Sequence, residues 1–288
     1  MNDNVKFGLS SNHLDANFKK TENFLNNIYN IGFNYYELEL TNYSLLANHC
    51  LIKKRKDDFI KVLKSLPLSY AIHLPLVIDI GDSHNNYDDL FKTFIDFSIE
   101  AGITDLILHP SKNRKFGHQD SEIKTLQRLS KAFIDSGITV HLENLLNYKG
   151  HNGGYNYNVS LHDNIQLLDA INKDCYGYCL DIGHGYITTK YREENLIEEV
   201  SHIMNRITHL HVHDNFGKIP EVGNPLTKHE SAMMGFGDLH MPPTWGDIPY
   251  EKMKELFNGY SGKVTIELFK DYLGDLDDIL ATTKELFN

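Results

Sequence analysis

The feature that most constrains the fold of this chain is a repeated alternation. Short apolar runs of strand length recur from one end to the other, separated by longer segments of helical periodicity. The runs Lys6–Ser10, Tyr35–Leu40, Tyr70–Leu74, Asp105–His109, Thr139–Glu143, Tyr178–Asp181, His209–His213 and Lys263–Leu268 read as strands. Helices are expected at Thr21–Asn30, Lys54–Leu66, Tyr87–Glu100, Ser121–Ser136, Leu161–Ile171, Asn195–Asn205, Tyr250–Phe257 and Leu273–Phe287. Gly32, Gly102 and Gly137 follow three of them, where a left-handed residue closes a helix at no steric cost.

Strand then helix, repeated without a break in composition, predicts a single (β/α)₈ TIM barrel spanning residues 1–288. The chain is long enough, since such barrels take about 250 residues. An open doubly wound sheet is the rival, but it normally carries a glycine-rich phosphate turn after its first strand. Here that turn is Leu9-Ser10-Ser11-Asn12-His13. The longest irregular stretch, Phe216 to Gly246, is of a length that usually serves function.

The 41% hydrophobic and 23% charged content is that of a globular protein, and no run approaches the roughly 18 apolar residues of a membrane span. Met1 to Ser11 carries no export signal, so the cytoplasm is expected. Cys50, Cys175 and Cys179 are too few and too unevenly spaced for a disulfide framework, and Cys179 falls in a buried strand rather than in a thiolate metal motif. A net charge of −11 disfavours a broad nucleic-acid footprint.

Barrel enzymes carry their chemistry at the C-terminal ends of strands, and here those ends hold metal-ligand residue types. The third strand ends in His73 and the fourth in His109. The fifth ends in His141-Leu142-Glu143, the sixth in Asp181-Ile182-Gly183-His184, the seventh in His211-Val212-His213-Asp214, and the eighth in Glu267. Between the last two strands lies Asp238-Leu239-His240-Met241-Pro242-Pro243. Singly, each is ordinarily a hydrogen-bonded structural residue or a helix cap. Gathered on one face, several carboxylates would repel one another by several kcal/mol unless cations lay between them. Carboxylate and imidazole without thiolate suit Zn²⁺, Mn²⁺, Fe²⁺ or Co²⁺ better than Ca²⁺, with Zn²⁺ or Mn²⁺ the leading candidates.

In Asp181-x-x-His184, His211-x-x-Asp214 and Asp238-x-His240-x-Pro-Pro the chain resembles the xylose isomerase-like TIM barrel superfamily. That group joins sugar isomerases and epimerases to the endonuclease IV branch of AP endonuclease family 2. The segment Gly32-Phe33-Asn34-Tyr35-Tyr36-Glu37-Leu38 is similar as well, and the likeness runs over nearly the whole chain. The resemblance implies that Glu143, Asp181, His211 and Glu267 form the single-metal site of the epimerases, which is also the central site of endonuclease IV. It further implies that His73, His109, His184, Asp238 and His240 complete a nine-ligand set for up to three divalent cations. By that likeness His73 and His109 share one cation with a bridging Glu143, and His184, Asp238 and His240 hold the third. Lys218–Phe236 is unlike the DNA-recognition loops of endonuclease IV, whereas Pro242 to Asp247 resembles sugar phosphate isomerases and epimerases.

The first functional expectation is metal-assisted hydrolysis of a phosphoester on a sugar-phosphate or related small molecule, because a three-cation cluster suits water activation and leaving-group stabilisation. Nucleic acid is a less favoured substrate. The alternative is isomerisation or epimerisation of a sugar or sugar phosphate with one cation, Glu143 and Glu267 moving a proton across the substrate carbon. A catalytically silent sugar- or metal-binding protein is the third reading. Lys112, Arg114 and Lys115 are candidates to grip a phosphate, Gly153, Gly154, Tyr155 and Tyr157 to form a lid, and Trp245 to wall the pocket. His213 and Asp214 are expected to support ligands rather than bind metal.

Overall fold

The computed structural model describes residues 5–11, 16–82, 87–111, 118–146, 160–219 and 226–287. Strands β1 (Lys6–Ser11), β2 (Tyr35–Leu38), β3 (Ser69–His73), β4 (Asp105–Leu108), β5 (Thr139–Glu143), β6 (Tyr176–Asp181), β7 (Ile207–Val212) and β8 (Lys263–Leu268) close into one barrel in the order β1-β8-β7-β6-β5-β4-β3-β2. Every pairing is parallel, from Ser10 opposite Glu267 to Asp181 opposite His211. Such strands are covered on both faces, which is why they read as continuous apolar runs; all six residues of β6 are buried.

Helices α1 (Phe18–Ile31), α2 (Lys53–Lys64), α3 (Asp88–Ala101), α4 (His118–Asp135), α5 (Leu161–Ile171), α6 (Ile182–Arg192), α7 (Leu196–Ile203), α8 (Lys228–Met234), α9 (Tyr250–Met253) and α10 (Leu276–Phe287) accompany them. Their ends are chemically marked. Asn17 caps α1, which closes on Gly32 at φ 109°, and Ser160 and Asp163 form a capping box on α5. Asp181 ends β6 and also caps α6, its Oδ1 accepting from His184 N at 2.6 Å.

Several boundaries differ from those the sequence suggests. The second strand stops at Leu38, because the chain turns into a 3₁₀ helix at Leu40–Tyr43 and then a two-residue hairpin pairing Leu46–Ala47 with Cys50–Leu51. His109 and His213 lie one residue beyond β4 and β7. Helix α6 was not expected from the sequence, and α8 lies inside the stretch read as irregular. The final helix starts as 3₁₀ over Lys270–Asp275. No helix among the described residues is long and apolar enough to cross a membrane.

The barrel interior is polar at both ends. At the N-terminal floor, His141 donates or accepts between Thr208 Oγ1 at 2.8 Å and Asp105 Oδ1 at 3.1 Å, and Lys263 Nζ reaches Asp105 Oδ2 at 2.6 Å. Above this, Thr265 bonds Tyr35 OH at 2.8 Å, His209 Nε2 at 2.7 Å and Glu37 Oε2 at 3.2 Å. The C-terminal mouth carries the acid and imidazole side chains.

Candidate metal centre

Parallel closure brings residues far apart in the chain to one rim, and all nine candidate ligands meet there. His73 Nε2 and His109 Nε2 approach Glu143 Oε2 at 3.0 and 3.1 Å. His211 Nδ1 lies 3.5 Å from Glu143 Oε1 and 3.3 Å from Glu267 Oε1. His184 Nε2 and His240 Nε2 converge on Asp238 Oδ2 at 3.2 and 2.7 Å. The ligand atoms of Glu143, Asp181, His211 and Glu267 all lie within 4.8 Å of one another, as do those of His73, His109 and Glu143. A cavity of about 270 Å³ opens above them, bordered by Leu74, Leu76, Leu145 and Leu146 besides the polar groups.

Three observations fit divalent cations. Donors held about 2.1 Å from one tetrahedral ion stand roughly 3.4 Å apart, close to the spacing of most of these pairs. Next, buried His109 Nε2, His211 Nδ1 and Asp238 Oδ1 make no hydrogen bond among the described residues, one such atom in each of the three clusters. Finally, the other nitrogen of several rings is fixed by an acceptor: His73 Nδ1 by Leu74 O at 2.9 Å, His184 Nδ1 by Asn144 O at 3.0 Å, and His211 Nε2 by Glu37 Oε2 at 3.1 Å. A ring whose far N–H is so engaged presents its remaining lone pair to a metal.

The electrostatics describe the same crowding. Burial pushes Glu267 up to about 8, with Glu143, Asp181 and Glu37 adding to the rise against the pull of His211. Burial acts in the same sense on Glu143 and Asp238, yet His109 and His211 hold Glu143 well below its usual range, and His240, His213 and His184 do so for Asp238. His184 is raised well above an ordinary imidazole because Asp181 and Asp238 outweigh its burial, while burial lowers His109. Cations would replace the protons that such a cluster otherwise retains.

Two further buried residues take part: Glu37, to which the sequence reading gave no role, and His213, which it expected to support ligands. Glu37, inside β2, holds His211 from beneath, and its Oε1 makes no hydrogen bond among the described residues. His213 Nε2 sits 3.2 Å from Asp181 Oδ1 and 3.4 Å from Asp238 Oδ1. Glu37 falls in the similar segment ending at Leu38, and His213 alternates with His211; these are the only signals the chain offers. Asp214, expected to orient an imidazole, instead accepts from the backbone N–H groups of Asn215, Thr244 and Ile248. A Cβ at Gly246 would lie 2.4 Å from its Oδ1, so the glycine of the Pro242 to Asp247 run lets that carboxylate clamp the turn. Trp245 does not wall the cavity; it is 53% exposed and packs edge-on to Tyr272. Lys112, Arg114, Lys115, Gly153, Gly154, Tyr155 and Tyr157 lie outside the described residues.

Residues 25–287 match the family described as xylose isomerase-like TIM barrel. An uncharacterized protein of Methanocaldococcus jannaschii, MJ1311, is 27% identical over 152 residues, covering 51% of this chain but only 43% of that relative. Among solved structures, a D-tagatose 3-epimerase-like protein superposes with a TM-score of 0.69 at 21% identity, over 97% of this chain and 98% of its own. The D-allulose 3-epimerase of Methylomonas sp., solved in complex with D-allulose, gives 0.67 at 14% identity over 98% and 97%. At these identities the superpositions speak for the fold.

Proposed function

The chain belongs to the xylose isomerase-like TIM barrel family, and from that premise we propose that it is a divalent-metal-dependent isomerase or epimerase of a small sugar or sugar phosphate. The observation that carries this reading is the placement of Glu143 and Glu267. Both carboxylates border the cavity, and both flank His211 Nδ1. They stand on β5 and β8, which β6 and β7 separate in the barrel, so they reach the cavity from different walls. Two carboxylates so placed suit removal of a proton from a carbon on one side and its return on the other.

A bound cation, held by Glu143, Asp181, His211 and Glu267, would polarise adjacent carbonyl and hydroxyl oxygens of the sugar and so acidify the intervening C–H. Asp181 and His211, fully buried, fix the floor of that position. Leu74, Leu76, Leu145 and Leu146 give the cavity an apolar border beside these polar groups. That a D-tagatose 3-epimerase-like protein and a D-allulose 3-epimerase share this fold supports the reading.

Incubation of the metal-loaded protein with D-allulose, D-fructose and D-tagatose, free and phosphorylated, in deuterated water tests the reading. Deuterium is expected at the carbon next to the carbonyl, and Glu143→Gln and Glu267→Gln should each slow exchange by about 10²–10⁴-fold. Phosphate release from phosphoesters without any exchange would overturn it in favour of hydrolysis. That second reading draws on one observation, the convergence of His73, His109, His184, Asp238 and His240 beside the four residues an epimerase needs.

A further inference from the structure

We propose that His162, Glu199 and His202 form a separate zinc position on the helical layer, where a bound ion ties α5 to α7. None of the three borders the cavity at the mouth, and the inference does not depend on the proposed reaction.

The packing of two helices brings these residues together. Leu196, Val200 and Ile203 are the buried side of α7. That leaves Glu199 and His202, three residues apart, to share a flank of the helix. His162 stands in the first turn of α5, where the backbone is anchored: Ser160 Oγ accepts from His162 N at 3.3 Å, and Asp163 Oδ2 accepts from Ser160 N at 3.1 Å. Just beyond α7, Arg206 Nη2 bonds Asp169 Oδ1 of α5 at 2.7 Å, so the two helices are held side by side from another point as well.

His162 Nε2 is 3.1 Å from Glu199 Oε2, and one ligand atom from each of the three side chains lies within 4.8 Å of the others. An ion pair between His162 and Glu199 accounts for two of them but gives His202 no part. Its ring centroid is 6.1 Å from that of His162, with the planes inclined at 39°. An imidazole nitrogen about 2.1 Å from zinc puts its ring centroid about 3.2 Å from the ion, so two rings on one ion stand up to about 6.4 Å apart. At this separation and tilt the rings are not stacked face to face, and each is free to turn an in-plane nitrogen toward a shared ion. His202 is exposed and the His162 side chain is 42% exposed. Small rotations therefore bring the donors to the roughly 3.4 Å spacing of tetrahedral zinc at little packing cost.

Two imidazoles and one carboxylate are a zinc donor set that leaves a fourth position to water. Such a cation binds the folded chain in preference to the unfolded one, in which the two helices are apart, so its affinity becomes stability. Helix α5 follows the strand that ends in Glu143, and α7 precedes the strand that carries His211. The ion thus braces two neighbouring parts of the barrel that supply the mouth, without entering the cavity.

Full-length native protein and His202→Asn, dialysed side by side against low-micromolar free zinc, test the site by elemental analysis. The variant should retain one zinc ion per chain fewer, since the mouth cluster is common to both. Zinc should also raise the denaturant midpoint of the native protein more than that of the variant, while the two midpoints agree in chelator. Anomalous diffraction at the zinc edge from zinc-soaked native crystals should show an ion bonded to His162, Glu199 and His202 at about 2.0–2.2 Å. Equal zinc contents overturn the proposal, as does a map with no ion bonded to all three side chains. An ion seen in soaked crystals but absent from the dialysed protein is an adventitious ion only, and overturns it too. The map is read from native protein, so it decides the matter even if the variant fails to fold.

Discussion

At the scale of single residues, the candidate ligands were legible because a barrel delivers strand ends to one rim, and His, Asp and Glu at those ends are visible in the linear sequence. Glu37 was not, because a glutamate inside a strand signals nothing until its neighbour is known, and that neighbour, His211, is 174 residues away. Its carboxylate fixes the tautomer in which His211 Nδ1 faces the cluster, so its loss should act through the ring. Glu37→Ala is expected to lower cation affinity by about 10–100-fold, read by competition with a chromophoric chelator. Glu37→Gln, which retains an acceptor oxygen, should lose less. Equal affinities for native protein and Glu37→Ala would show that packing alone orients His211.

At the scale of elements, the eight strands were readable from apolar runs, whereas helix α6 was hidden by Gly183 and Gly185, which read as breakers. Tertiary contact explains the first of them, since Gly183 makes room for His213, and the capping carboxylate of Asp181 starts the helix despite the propensity cost. The irregular stretch after β7 concealed α8 for a related reason, seven residues being too few for a periodic signal although Thr227 and Glu230 form its capping box. Close approach also governs the pairing of β1 with β2. Gly8 sits opposite Tyr35, and a Cβ there would lie 2.3 Å from the tyrosine ring. That ring cannot retreat without breaking its 2.8 Å bond to Thr265. Gly8→Ala should therefore destabilise the fold by about 1–3 kcal/mol, seen as a lower denaturant midpoint at unchanged slope. An unchanged midpoint would mean that the inner layer of the barrel yields more easily than its hydrogen bonds suggest.

At the scale of the whole molecule, the barrel stacks two charged layers, one at the mouth that asks for cations and one at the floor that is internally neutralised. The floor depends on Asp105. Burial alone would raise its pKa, but the hydrogen bond from His141 and the charge of Lys263 outweigh burial and hold it far below the usual carboxylate range. A depressed folded-state pKa means that the unfolded chain binds the proton more readily. The floor thus contributes its stability above the unfolded value of about 3.9 and loses it as pH falls toward the folded one. Asp105→Asn should cost about 1.5–3 kcal/mol at neutral pH, where one ionised partner is removed from His141 and Lys263. Below about pH 4 the difference between variant and native protein should shrink, because the unfolded native chain then takes up the proton that folded Asp105 does not bind, which favours unfolding of the native protein alone. Denaturant midpoints of the two proteins, measured side by side from pH 7 to pH 3 in chelator so that the mouth is equally free of cations, would check this. Curves that stay parallel throughout would show that Asp105 binds its proton alike in the folded and unfolded chain, and that the floor is held by packing rather than by charge.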